Sequence, residues 1–411
     1  MLSQYLVTLR RISRILWVRV ALILGLSILA ALLAPLLDPI IPLASKDRFS
    51  AEATLPILNI LANSMLAVTT FSLGVMVSTH RGTAEQTTPR IHRLLMDDTR
   101  TQTVLATFIG AFVFALSSII LYRADYYSDS ASVAVFFATV LVVAIVVGSI
   151  VRWIDHLSDL GSMDHALAQS ETAARETLKT LADWPALGAH MIGRGDVRPD
   201  GATPVQAQRS GYVEQIDMEE LNSLAEAHGV QVYIQVLPGD AVLTSQTLAY
   251  LDTEAPQDAF SACFSLTEYR AHEQDARYAI QTLRETASKA LSAGINDPGT
   301  AIEVINRLER VLWDYLRREP PEDPVCFDRL HMSRLEPKTL IDTAFRDIAR
   351  DGAANVGVLI GVHGAVSTLA KALPEDQKDS VRHLLSEIAD YAEMGLRIEA
   401  ERDAFKAETQ R

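Results

Sequence analysis

Within its first 154 residues the chain carries four long runs almost free of charge, and no other feature restricts its fold as strongly. Residues 16–37 hold one charge, Arg19, near an end where a long side chain reaches the interface; residues 53–79, 103–122 and 131–151 hold none. About twenty apolar residues suffice to cross a bilayer, and a spanning segment satisfies its backbone polar groups only as a helix or in a closed barrel. A buried core helix is the competing reading of any one run, and four in succession argue against it. The predicted fold class is therefore an α-helical integral membrane protein with four transmembrane helices, followed by a cytoplasmic α+β region.

Charge divides the chain at the same place. Residues 1–154 hold 12 Lys/Arg against 8 Asp/Glu, which leaves 25 against 43 for the remainder. The acidic remainder repels phosphate backbones, so nucleic acid is excluded as a partner. Arg10, Arg11 and Arg14 precede the first run, Arg81, Arg90, Arg93 and Arg100 lie between the second and third, and Arg152 follows the fourth. Only Lys46, Arg48 and Arg123 fall on the other side. Basic flanks stay in the cytoplasm, which predicts a multi-pass protein of the bacterial inner membrane with both termini cytoplasmic. A cleaved signal peptide is the alternative for the N-terminus, but the first run is long for one and more spans follow it. Cys263 and Cys326 show no CxxC spacing and read as buried thiols, not as zinc ligands or a disulfide framework. No metal or other cofactor is expected.

The second run differs from the others. Asn59, Asn63, Thr70, Gly74 and Ser78 recur at spacings of 4, 7, 4 and 4, which places them within about 100° of one helix face. Amides in hydrocarbon need partners, so this face is expected to look at other helices or at water rather than lipid. Two readings stay open: a helix interface, in which small residues permit close approach, and the lining of a pore or substrate path. The spans contain no Asp, Glu or Lys, so proton-relay chemistry within the membrane is not supported.

After the last span, residues 155–183 read as a stalk helix. Leu157, Leu160, Asp164, Leu167, Glu171, Ala174, Leu178 and Leu181 form a heptad seam with two acidic positions, through which copies could associate. His156, His165, Asp155, Asp159 and Asp164 cluster there as cation ligands or, in the plainer reading, as a solvated face. Residues 184–210 read as a loop and 211–267 as a small β-rich module, in which Asp217 caps a helix stopped by Gly229. Its GVQVYIQVLPGDAVLTSQTL is similar in architecture to barrel-sandwich modules but offers no lysine to modify. Residues 268–411 read as a helical domain, with helices from about 337 to 349, 353 to 372 and 375 to 399, punctuated by PPEDP at 320–324.

Inside that domain, SAGINDPGT at 292–300 packs Gly294, Asn296, Asp297, Pro298 and Gly299 between two helical stretches. Gly294 suits the left-handed residue that ends a helix, and Asp297 with Pro298 suits an N-cap and first helical position. Asn296 has no structural duty in this reading. Beside a helix N-terminus and Thr300 it could join an anion site, although Asp297 opposes that charge. HEQDARYAIQTLRETASKALSAGINDPGTAIEVINRL, FSLGVMVSTHRGTAEQTTPRIHRLLMDDTRTQTVLATFIGAFVFAL and SGYVEQIDMEEL together resemble the predicted bacterial membrane proteins of the domain of unknown function 2254 family. Ala293 stands where that family usually has proline. The resemblance implies four spans and a cytoplasmic domain, and it singles out Asp275, Asn296, Asp297, Pro298 and Thr300 without assigning them an activity.

No Ser-His-Asp order, HExxH, Walker loop or GxGxxG fingerprint is present, and no catalytic residue is named. The leading expectation is a homo-oligomeric channel or transport protein with a cytoplasmic regulatory domain, using Asn59, Asn63, Thr70, Gly74 and Ser78. The alternative is a membrane-anchored regulatory or scaffold protein that binds a small ligand or a protein through Asp275, Asn296, Asp297 and Thr300. An enzyme with an unrecognised site is the third.

Overall fold

The computed structural model describes residues 16–33, 51–86, 88–96, 99–159, 162–193, 199, 201–319, 321 and 325–410. The chain is mostly helical and divides into two compact units, Met1–Ala166 and Leu167–Arg411.

The first unit contains α1 (Leu16–Leu33), α2 (Ala51–Gln86), α3 (Pro89–Met96), α4 (Thr99–Arg123) and α5 (Asp129–Asp159). α4 lies at its centre, with Phe108, Ala111, Phe114 and Ala115 all buried. Gly110 lets α1 approach closely, because a Cβ there would overlap the Ile23 side chain. The Tyr127 hydroxyl donates to the Ala31 carbonyl at 2.8 Å and that of Tyr126 to the Leu32 carbonyl at 3.3 Å, which fixes the end of α1 to the α4–α5 turn. Among the described residues three helices are long and apolar enough to cross a membrane: Glu52–Thr79, Thr101–Arg123 and Ala131–Asp155. The apolar part of α1, Ala21–Leu33, is shorter, and residues 34–37 of the expected first span lie outside the described residues, as do Arg10, Arg11, Arg14, Lys46 and Arg48.

The expected stalk is two helices. α5 ends at Asp159 and α6 runs from Met163 to Asp183. The seam on α6 is not open for association along its length: Leu167, Ala174 and Leu178 are buried, and Glu171 between them is paired with Arg307 at 2.8 Å and Arg310 at 3.3 Å. Arg175 pairs with Asp314, and Arg318 with Asp183. Burial alone would raise the Glu171 pKa; hydrogen bonds from Arg310, Arg175 and Arg307 outweigh it and hold the carboxyl below its ordinary range.

The second unit also holds more sheet than its periodicity predicts. β1 (Ala189–Ile192), β2 (Thr203–Gln206), β4 (Val232–Ile234), β6 (Thr247–Leu251) and β8 (Phe327–Ser333) form a five-stranded sheet in the order β1-β8-β4-β6-β2. β8 runs parallel to both its neighbours, and β6 runs antiparallel to β4 and β2. β3 (Gly211–Ile216) stands between β5 (Ala241–Val242) and β7 (Phe264–Thr267) in a second, antiparallel sheet. Two of these strands fall in the expected loop 184–210, and β8 falls in the expected helical domain. With α7 (Met218–His228) and α8 (Gln257–Ala262) the sheets share one core, which includes Val213, Leu221, Val232, Leu251, Phe260 and Leu330. α7 begins at an Asp217 cap, whose side chain accepts the Glu220 N–H, and ends at left-handed Gly229.

The helical part comprises α9 (Ala276–Ala290), α10 (Pro298–Leu316), α11 (Pro337–Asp351), α12 (Val356–Ala370), α13 (Glu375–Gly395) and α14 (Glu399–Thr409). Leu283, Ile305, Leu340, Phe345, Val362 and Leu384 are fully buried among them. Asp275, Asp297 and Asn355 cap α9, α10 and α12 through their side chains.

Candidate functional site

Asn59, Asn63, Thr70, Gly74 and Ser78 are all exposed on α2, while Leu58, Leu61, Ala62, Met65 and Ser72 are buried on the opposite side. The polar face thus points away from the helices of its own unit. Some of it is satisfied within α2: the Asn59 amide donates to the Leu55 carbonyl at 2.9 Å, and the Thr70 hydroxyl to that of Leu66 at 2.9 Å. Exposed Leu66 and Leu73 flank the stripe on one side, and Ile60 and Phe71 on the other. The arrangement is a narrow neutral polar seam between apolar ridges.

Asp275 and the Asn296 turn do not form one site. Asp275 precedes α9 and Asn296 follows it, so the fifteen residues of the helix separate them by about 22 Å. Asp275 is 2% exposed and its oxygens are engaged. Arg270 clamps it with two hydrogen bonds of 2.7 and 2.9 Å, and it accepts the Tyr278 N–H at 2.9 Å as the α9 cap. Arg270 also donates to Gln281 at 2.8 Å and lies over the Tyr278 ring. On the other side of Asp275 sits Gly239, at φ +86°, where a Cβ would collide with the carboxylate. Gln274 accepts the Ile216 N–H at 3.0 Å, and Arg277 donates to Asp240 at 2.6 Å. This stretch therefore joins the helical part to the sheets.

The Asn296 turn is exposed from Ser292 to Asp297. The left-handed residue is Asn296, at φ +50°, and not the expected Gly294, whose φ is not positive. Asparagine tolerates that region where most residues do not, so Asn296 has the structural duty that sequence spacing gave to the glycine. The N–H groups of Asn296 and Asp297 donate to the carbonyls of Ser292 and Ala290, both at 2.8 Å. Asp297 accepts the Thr300 N–H at 3.0 Å and its hydroxyl at 2.6 Å, and these bonds hold its carboxyl below the usual range. Pro298 takes the first turn of α10.

Two features carry chemistry that periodicity alone did not single out. His190, His331, Tyr233, Tyr250 and Pro204 occupy one register row across the five-stranded sheet. His331 stacks on Tyr233 at 4.6 Å and lies 5.3 Å from His190, with its Nε2 3.0 Å from the Gln231 side-chain oxygen. A cleft of about 340 Å3 opens where α6 ends, β3 meets α7 and β8 begins. The signal for the cleft was an aromatic, Trp184, just past a helix; β3 before Asp217 was read as a strand, whereas β1 and β8 were not.

The family model described as predicted membrane protein (DUF2254) matches residues 13–368. An uncharacterized protein of Mycobacterium bovis and one of Mycobacterium tuberculosis are each 27% identical over 177 residues, 41% of this chain and 31% of theirs. The matched stretch thus spans under a third of those relatives. No solved structure matches the chain.

Proposed function

The chain belongs to the family of predicted membrane proteins described as DUF2254, and we propose that it is a homo-oligomeric channel or transport protein of the bacterial inner membrane. In this reading it has four spans, both termini in the cytoplasm and a regulatory cytoplasmic unit. The observation that carries it is the exposed stripe of α2. The single bonds that Asn59 and Thr70 make within α2 leave most of the hydrogen-bonding capacity of two amides unmet; a polar group without a partner costs about 2–7 kcal/mol in an apolar medium, so a face bearing Asn59 and Asn63 favours water or another subunit over lipid tails. Packing several copies about a central axis with α2 innermost satisfies the face and leaves the flanking leucines for contact between subunits. Its amides and hydroxyls carry no fixed charge.

Native mass spectrometry of the full chain released from mild detergent tests the assembly, and solute flux into proteoliposomes tests the path. A closed oligomer of three or more copies is expected, with flux altered by Asn63→Leu at unchanged stoichiometry. A monomer or dimer, or flux indifferent to Asn63→Leu, sinks the conduit. The regulatory or scaffold reading then takes its place, and the cleft of the second unit favours it.

A further inference from the structure

The cleft in the second unit has a composition that selects its occupant. Met218, which is buried, Phe327 and Trp184, which is 41% exposed, line it. Asp217 and Glu219 supply carboxylates, and among the described residues no Lys, Arg or His lines it. Neither carboxylate takes part in an ion pair among the described residues; Asp217 spends one oxygen on the Glu220 N–H at 3.1 Å. The α7 N-terminus contributes about half a positive charge, which two full negative charges outweigh. The backbone just after Trp184 is strained at two residues, Ala186 and Leu187, with φ of +51° and +54°; Gly188 follows at +83° without strain, and its carbonyl accepts the Cys326 N–H at 2.8 Å. Absence of a Cβ at Gly188 leaves room for the Phe327 ring. Strain of this kind persists where surrounding contacts over-determine it.

We propose that this cleft binds a compact organic cation, with its ammonium group against the Trp184 indole and beside the Asp217 and Glu219 carboxylates. A volume of about 340 Å3 lies within the range of small-molecule sites, and an aromatic face with acidic neighbours is the usual recognition of ammonium groups. A bare metal ion fits less well: no group of three His, Cys, Asp or Glu side chains that could hold one occurs among the described residues. The inference does not depend on the conduit reading.

Isothermal titration of the full-length protein in detergent, with choline and with putrescine as probes, tests it. At least one probe is expected to bind saturably, about tenfold more weakly to Trp184→Leu. The isosteric double variant Asp217→Asn/Glu219→Gln, which keeps the α7 cap, is expected to lose binding. The neutral isostere of choline, 3,3-dimethyl-1-butanol, is expected to give no saturable heat. Absence of binding by both probes at millimolar concentration overturns the proposal. So does equal binding of the neutral isostere, or calcium binding to the same carboxylates with choline indifferent to Trp184→Leu.

Discussion

Asn296 illustrates how a residue that looks functional in sequence can be explained by one dihedral angle. At φ +50° an L-residue with a Cβ is strained by about 1–2 kcal/mol, less for asparagine, and not at all for glycine. Asn296→Ala is therefore expected to lower thermal stability by about 1 kcal/mol and Asn296→Gly to leave it within a few tenths, measured by unfolding of the full chain in detergent. Equal effects from both variants would mean that the side chain, and not the backbone angle, is what the turn needs. Asp275 makes the opposite case. Because it is buried against Arg270, Asp275→Ala leaves a guanidinium only 19% exposed without its partner, at a cost of about 3–5 kcal/mol. Gly239→Ala drives a methyl into the same carboxylate and is expected to destabilise to a similar degree; a neutral outcome would disprove the close approach. The Asp297 cap and Pro298 were legible from residue type alone, since capping is local. Gly294 was read as the left-handed residue because glycine is the commoner one there, yet Asn296 takes that conformation and Gly294 does not use its freedom.

The row of rings across the five-stranded sheet ties β1, β8 and β4 together, and it makes that element sensitive to acid. Burial, and then the neighbouring His190, press the His331 pKa below its ordinary 6.5, against a smaller opposing pull from Asp252. His272 and His363 are lowered as well, both chiefly by burial. A base that binds its proton less well when folded is protonated first in the unfolded chain, so its stabilising contribution is full above pH 6.5 and declines as pH falls toward the native value. Thermal stability is expected to drop as pH falls below about 6.5, with a shallower slope in His331→Phe, which keeps a flat ring beside Tyr233. An unchanged slope in that variant would remove His331 from the account. The helices of this unit were readable from 3.6-residue periodicity and caps, as Asp217 and Gly229 at the ends of α7 illustrate. β8 was not, because its parallel partners β1 and β4 lie more than 90 residues away in the chain and its seven residues follow a proline-rich stretch within helical surroundings. The seam was read as apolar at six of its eight places, but periodicity could not say that Leu167, Ala174 and Leu178 are buried or that Arg307 and Arg310 of the same chain pair with Glu171.

At the scale of the whole molecule, an apolar, slightly basic unit and an acidic unit are joined in one chain, and the side of the membrane on which each end lies depends on the number of spans. Three helices satisfy length and apolarity among the described residues, and α1 decides between three and four. The two cysteines allow a direct test. Cys263 is buried, with its thiol pushed up to about 12 chiefly by burial and then by Asp217 and Glu220, so it is unreactive near neutrality; Cys326 is exposed. An impermeant maleimide therefore reports the position of Cys326 without further substitution. If α1 completes a fourth span and the basic flanks are retained in the cytoplasm, the reagent labels Cys326 in inverted vesicles and not in right-side-out ones, and a protease-sensitive N-terminal tag is digested in the same preparation. Labelling and digestion in opposite preparations would mean an odd number of spans, with α1 packed against α4 without crossing. Both in right-side-out vesicles would keep the even count but invert the molecule, and the acidic unit with its cleft would then face the exterior.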